Sequence, residues 1–228
     1  MSRVTEQKQR LEDIEAARYI TGALRDISAI ELKGLREKYE RNDLFYSELR
    51  DLFQLVWRIA SEEGGGSNKS RGKGELYVAY TTNRHFYGSL NHDVMNKFLE
   101  HTDKKSKCLV IGETGKLIWN AKKAIRQKVE FLSFAEDNPS DSEFEDLIKK
   151  VDTFQNVYVF YPGFTSVFQQ DVQVVDITYR PSKHVIEKEE YKDLPEYLFE
   201  PDLSEMVLFF NSQVRSTLLE RLFHETQI

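Results

Sequence analysis

From Glu6 to Ser61 the chain has no proline, and glycine occurs only at Gly22 and Gly34. Apolar residues return at Leu11, Ile14, Ile20, Leu24, Ile27, Leu35 and Tyr39, then at Phe45, Leu49, Leu52 and Val56. Steps of mostly three, four and seven predict an amphipathic helix. Continuous to Ala60, it is roughly 70–80 Å long at the ~1.5 Å rise per residue of an α-helix. Such a helix outgrows a domain of this size, so its stripe must pack on another long helix or on a partner, as in a coiled coil. A helical hairpin broken near Asn42 and Asp43 is the alternative reading.

The pattern then changes. Residues 63–75, with Gly64, Gly65, Gly66 and Ser67 and the basic Lys69, Arg71 and Lys73, read as a flexible polar linker. Beyond it, short β-branched and aromatic runs alternate with helical periods. Strands are expected at 76–81, 107–111, 129–134 and 157–161, with helices near 91–101, 117–126 and 142–151. This alternation argues for a mainly parallel sheet covered by helices, an α/β domain over 76–200. The stretch 172–179 alternates less cleanly and reads as an edge strand. A last helix, 201–228, begins at Pro201-Asp202-Leu203-Ser204 and carries Met206, Val207, Phe210, Val214, Leu218, Leu222 and Phe223. It has no stop signal, which suggests a truncated product.

Composition narrows the function classes. Lys and Arg number 32 against 38 Asp and Glu, a net charge of −6, so no global basic surface favours nucleic acid. No apolar run approaches the roughly 20 residues that span a bilayer. The single cysteine, Cys108, excludes an internal disulfide, and its place in Cys108-Leu109-Val110-Ile111 reads as a buried structural thiol. A cytosolic setting follows.

No catalytic constellation stands out. A dinucleotide fingerprint needs three glycines, and the first strand-to-helix turn, Thr81 to Asn91 ("TTNRHFYGSLN"), offers only Gly88, with His85, Phe86 and Tyr87 where phosphate would sit. "GETGK", Gly112 to Lys116, is two residues shorter than a P-loop, and Leu117 replaces the magnesium-binding Ser or Thr. His85, His92, His101, His184 and His224 are scattered and form no metal motif. Acidic runs at Glu136-Asp137, Asp141 to Asp146 and Glu187 to Glu190 read as solvated faces or helix starts. Ser89 and Asn91 read as helix caps. Neither a cofactor nor a metal is expected.

The order of elements resembles the gamma subunit of the F-type ATP synthase. That family has a strand followed by "TSDRGLCGGLN", and Thr81, Arg84, Gly88, Leu90 and Asn91 agree with it. The segment Arg18 to Glu40 resembles the family's N-terminal helix, with Ile20, Thr21, Ala23 and Leu24 in place. "CLVIGETGK" and "NVYVFYPGFTS" resemble two of its strands, and "YLFEPDLSEMVLFF" resembles the start of its C-terminal helix.

The resemblance implies an antiparallel coiled-coil shaft, formed by the two terminal helices, carrying a Rossmann-like, mainly parallel α/β domain. It implies a central-stalk rotor that hydrolyses nothing itself and couples rotation to ATP synthesis or hydrolysis on its partners. Those partners would be the alpha and beta subunits of a ring, an epsilon-type subunit and a membrane ring of c-type subunits. The setting would be the cytoplasmic or organelle-matrix face of an energy-transducing membrane. The candidate partner contacts are Ile20, Thr21, Leu24, Arg25, Arg84, Gly88, Asn91 and Gln213. Tyr19 and Gly22 stand where the family commonly has lysine, so fewer cationic contacts are expected, and most of the second coiled-coil strand is lacking. Two other readings remain open: a gamma-like assembly protein, and a small α/β enzyme or ligand-binding domain with a helical arm.

Overall fold

The computed structural model describes residues 3–62, 72–83, 88–122, 128–135, 139–166, 169–178, 200 and 202–227. Residues 63–71 of the expected linker therefore lie outside the described residues, as do Arg84 to Tyr87. Helix α1, Arg3–Glu62, is unbroken through Asn42 and Asp43, so the hairpin alternative fails. With no proline to remove a hydrogen bond, nothing interrupts the ladder. Its 60 residues span about 90 Å at ~1.5 Å per residue.

The α/β domain contains β1 (Glu75–Tyr80), α2 (Leu90–His101), β2 (Lys107–Ile111), α3 (Glu113–Ala121), β3 (Val129–Leu132), α4 (Asp141–Val151), β4 (Asn156–Ser166) and β5 (Gln169–Asp176). The sheet order is β3-β2-β1-β4-β5, with β5 antiparallel to β4 and every other pairing parallel. β5 is the edge strand that the sequence suggests. β4 runs beyond the expected Tyr161, through Pro162. There β1 has already ended, its pairing closing at Ala79 opposite Phe160, and among the described residues Pro162 pairs with β5 alone. A residue without an N–H is tolerated where one ladder is missing.

Alternation along each strand divides the core into two. Leu76, Val78, Tyr80, Leu109, Ile111, Val157, Val159 and Tyr161 face α4 and the last helix, α5 (Leu203–Gln227). Ala79, Cys108, Val110 and Phe160 face α2 and α3. α5 is apolar on two sides. Leu203, Val207, Phe210 and Val214 pack on Phe53, Val56 and Ala60 of α1, whereas Leu218, Leu219, Leu222 and Phe223 belong to the core of the sheet. Phe53 stacks on Phe210 with ring centroids 6.2 Å apart, and farther along Arg221 lies 2.8 Å from Asp43. The two helices are therefore antiparallel, as expected of a coiled-coil pair.

One expectation changes in extent. The apolar stripe of α1 meets α5 only in its C-terminal part, because the 25 residues of α5 reach about 37 Å at ~1.5 Å per residue. Leu11, Ile14, Ile20, Leu24 and Ile27 remain between 53% and 65% exposed.

The carboxyl ends of β1, β2 and β3 are tied by one polar knot. α3 begins four residues before the expected Leu117, since its first three N–H groups find acceptors on the turn after β1. Glu113 N donates to Asn83 Oδ1 (3.1 Å), Thr114 N to the Thr82 carbonyl (3.2 Å) and Gly115 N to Thr81 Oγ1 (2.9 Å). The hydroxyl of Thr81 in turn donates to the Ile111 carbonyl (2.7 Å). From α2, Asn91 accepts from Thr82 N (3.2 Å) and donates to Thr82 Oγ1 (3.0 Å). Gly112 N donates to the Leu132 carbonyl, and Asn83 Nδ2 to that of Phe134.

This knot needs a glycine at 112. Its φ is +100°, and a Cβ there would lie 2.2 Å from the Thr81 carbonyl oxygen. Gly112→Ala should therefore lower unfolding stability by roughly 2–5 kcal/mol, strain plus overpacking, read from the denaturant midpoint. Gly22→Ala should act in the opposite direction. It sits in the helix with nothing within 4 Å of a new Cβ, so a gain of about 0.5–1 kcal/mol is expected in the same measurement.

Candidate functional site

The strand-to-helix turns are where a phosphate would bind, because a helix start presents unsatisfied N–H groups. Here the first three of α3 are consumed by Thr81, Thr82 and Asn83. A Cβ on Gly115 would fall 2.5 Å from Thr81 Oγ1, so "GETGK" brings the helix backbone against the Thr81 side chain rather than against a ligand. The chemistry of the turn is that of a structural stitch. Among the described residues no group of three or more His, Cys, Asp or Glu side chains is arranged to hold a metal ion.

The acidic run at 141–146 is a helix start in part. Ser140 caps α4, and Glu143 accepts from Ser140 N (2.8 Å) and from Ala135 N (3.0 Å). These backbone donors, Ser140 first, hold the Glu143 carboxyl below the usual carboxylate range.

The candidate contact residues separate into three places. Ile20 and Leu24 project from α1 into solvent at 62% and 59% exposure. Beside them Thr21 donates back to the Ala17 carbonyl (2.7 Å), and Arg25 is ion-paired with Asp26 (2.8 Å). Asn91 is 4% exposed and its amide is engaged inside the knot, while Gly88 turns the chain into α2 at φ +55°. Gln213 is exposed on α5, at the rim of a cleft of about 710 Å³ that Met206, Phe209, Phe210 and Arg215 also line. Phe210, close to Gln213, meets Phe53. That contact lies 29 residues beyond Leu24, about 40 Å along α1 at ~1.5 Å per residue. The fold does not bring these residues into one site. Arg84 lies outside the described residues.

Two arginines that the sequence reading passed over fix α5 on two sides, Arg215 to the α/β domain and Arg221 to α1. Arg215 is 2% exposed and donates to the carbonyls of Phe154 (3.0 Å) and Gln155 (2.8 Å), with Asp152 Oδ1 at 3.9 Å. Ser212, one turn earlier, hydrogen-bonds Asp152 as well. Arg221 reaches the other way, donating to the Tyr39 hydroxyl (3.0 Å) while its guanidinium lies over the rings of Tyr39 and Tyr46 at 5.5 and 5.8 Å. Burial opposes the charge on Arg221, but the Tyr39 hydroxyl and the Asp43 carboxylate outweigh it, and its pKa is raised. At the end of α5, Tyr161 donates to Glu225 (3.1 Å). Burial, then the Glu225 charge, pushes the Tyr161 phenol well above its ordinary range. The available sequence signal was an arginine, Arg215, one residue after Val214 and three before Leu218 on the apolar stripe of the last helix.

Among the described residues no helix is long and apolar enough to cross a membrane. The sequence profile of a family described as ATP synthase matches residues 3–227. A gamma chain of ATP synthase from Malacoplasma penetrans is 25% identical over 122 residues, covering 54% of this chain. That from Clostridium beijerinckii is 26% identical over 232 residues, covering 94%. The chain spans 43% of the length of the first relative and 78% of the second. A chain of the central-stalk and c-ring structure of the Tetrahymena thermophila mitochondrial ATP synthase shares the fold, with a TM-score of 0.50 at 12% identity over 82% of this chain and 92% of that one. The family match thus spans nearly the whole chain, and the chain belongs to the gamma-chain family of ATP synthases.

Proposed function

We propose that this chain is the central-stalk rotor of an F-type ATPase. In this reading it has no catalytic site of its own, and it couples its rotation to ATP synthesis or hydrolysis on the beta subunits of a surrounding ring. An asymmetric shaft holds three otherwise equivalent sites in different shapes at one time, shifting their populations as it turns. The alpha and beta subunits would surround the free half of α1. The α/β domain would face the epsilon-type subunit and the ring of c-type subunits, on the cytoplasmic or organelle-matrix side of the membrane. The chain divides accordingly into shaft helix (1–62), linker (63–75), α/β domain (76–200) and returning helix (201–228).

The observation that carries this reading is the distribution of exposed apolar side chains on α1. At about 100° per residue, Leu11 and Ile14 point about 140° away from the mean direction of Ile20, Leu24 and Ile27. All five are more than half exposed. One partner helix covers a stripe on the order of 100° wide, and supercoiling shifts that stripe by only about 20° per heptad. Covering both groups takes partners on more than one side of the helix, as a ring provides.

The first test is reconstitution. Adding the chain to an alpha-beta ring of its own organism should change the ATPase rate, and an unchanged rate rejects the rotor. A second test uses Leu24→Glu. Because Leu24 touches nothing that the fold needs, the unfolding stability of the isolated chain should stay within about 0.5 kcal/mol of the parent, while association with the ring should weaken by roughly 1–2 kcal/mol in a binding titration. A variant that binds as well as the parent removes that face from the interface. Arg84→Ala should weaken assembly or coupling, and an unaltered complex would count against a contact role for Arg84.

A further inference from the structure

The helix pair and the α/β domain must turn together if either is to drive the other, and the chain enters the sheet from α1 only across residues 63–74. The non-covalent joint between α5 and the sheet is thus decisive. Its centre is apolar, with Leu218, Leu219 and Leu222 in the core of the sheet. Apolar burial is non-directional, so it resists separation far better than it resists sliding or swinging.

Polar contacts stand at both ends of this apolar patch. At one end the Arg215 guanidinium holds the carbonyls of Phe154 and Gln155, immediately before β4. At the other, Glu225 accepts from Tyr161, inside β4. The two points are ten residues apart on the helix, about 15 Å, and six apart on the strand, about 20 Å, so α5 lies along β4 in the same direction.

The loop gripped by Arg215 is itself anchored to the start of the domain. Lys73 N donates to the Thr153 carbonyl (3.1 Å), and the Gly74 carbonyl accepts from Gln155 N (3.0 Å) and Asn156 N (3.2 Å). A Cβ on Gly72 would lie 2.2 Å from the Phe154 carbonyl carbon, so no slack exists there. Between the two points Arg221 faces α1 instead, fixing the other side of the same helix through Asp43 and Tyr39.

We propose that Arg215 and the Tyr161–Glu225 pair form a two-point clamp that fixes α5 to the sheet, so that the helix pair and the α/β domain move as one rigid body. On the rotor reading above, on which this last step rests, the clamp carries twist between shaft and domain. One point of attachment leaves a pivot, whereas two separated along the helix axis remove it. Arg215 and Tyr161 act here as positioning residues. Polar pairs are suited to the task because their geometry selects one register where an apolar surface accepts several.

The test uses the full chain alone, with spin labels on cysteines placed at the exposed Glu48 of α1 and Asp146 of α4. The parent should give one narrow distance distribution. Tyr161→Phe, which removes only a hydroxyl, and Arg215→Gln should each broaden it in the folded population, well below the melting midpoint of each variant. A width equal to the parent's in either folded variant overturns the clamp. Should Arg215→Gln fail to fold, Tyr161→Phe decides alone by the same criterion. Because the labels report on the isolated chain, a broadened distribution together with an unchanged ring ATPase would uphold the clamp and reject the rotor, and the converse pair would do the reverse.

Discussion

A single helix buried on two sides is the constraint on which this structure rests. α5 gives Val207, Phe210 and Val214 to α1 and Leu218, Leu219 and Leu222 to the sheet, so it is at once half of the helix pair and the outer layer of the α/β domain. Removing it would uncover much of the face of β1, β2 and β4, which α4 covers only in part, and a sheet with a bare apolar surface is not a stable unit. The globular domain therefore cannot be separated from the shaft at residue 200, although the change of pattern falls there. Ordinary amphipathic helices have one apolar face and one polar face, and α5 cannot, because both of its neighbours are dry.

The knot at the carboxyl ends of the strands follows a similar economy of partners. Turns at this edge of an α/β sheet are the usual place for ligands because helix starts leave N–H groups unsatisfied. Thr81, Thr82 and Asn83 occupy those groups on α3, and Asn91 fixes Thr82 from α2. A site built for chemistry would leave donors open. This one closes them, and in doing so joins three strands and two helices where Tyr80 stacks on Phe223 of α5, with ring centroids 4.7 Å apart. The family resemblance of Thr81 to Asn91 is thereby given a physical reason in its described part: the side chains that match are partly those that make the stitch.

Much of this was legible in the sequence. The absence of proline over more than fifty residues made α1 readable as one helix, and the short β-branched and aromatic runs at Leu76 and Val157 gave the strands. What stayed hidden depended on contacts distant in sequence. The start of α3 is set by Asn83, thirty residues before Glu113, so no local signal marks it. β4 passes Pro162 only because β1 has ended beside it. Arg215 looks like a surface charge until the carbonyls of Phe154 and Gln155 are placed against it. Among the candidate contacts, periodicity put Ile20 and Leu24 on an apolar stripe, but it could not tell that Asn91 points inward.

The charges on α1 bear on what kind of contact its free half can make. Arg10 is paired with Glu6 at 2.7 Å, Arg25 with Asp26 at 2.8 Å and Lys33 with Glu37 at 3.9 Å, all of them on the exposed surface of the same helix. Pairs of this kind are weak, but a cation already beside a carboxylate presents little net field to a neighbour, and what remains is screened within about 8 Å at physiological ionic strength. A shaft with lysines in place of Tyr19 and Gly22 would meet an acidic surface through its charge. Beside those pairs α1 exposes apolar area: Leu11, Ile14, Ile20, Leu24 and Ile27 offer surface and shape, and Tyr19 adds a ring that is 81% exposed. Contact through these apolar side chains depends on fit, which makes the register of the helix pair, set by Arg221 on Asp43 and Tyr39, as consequential as any residue at the contact itself.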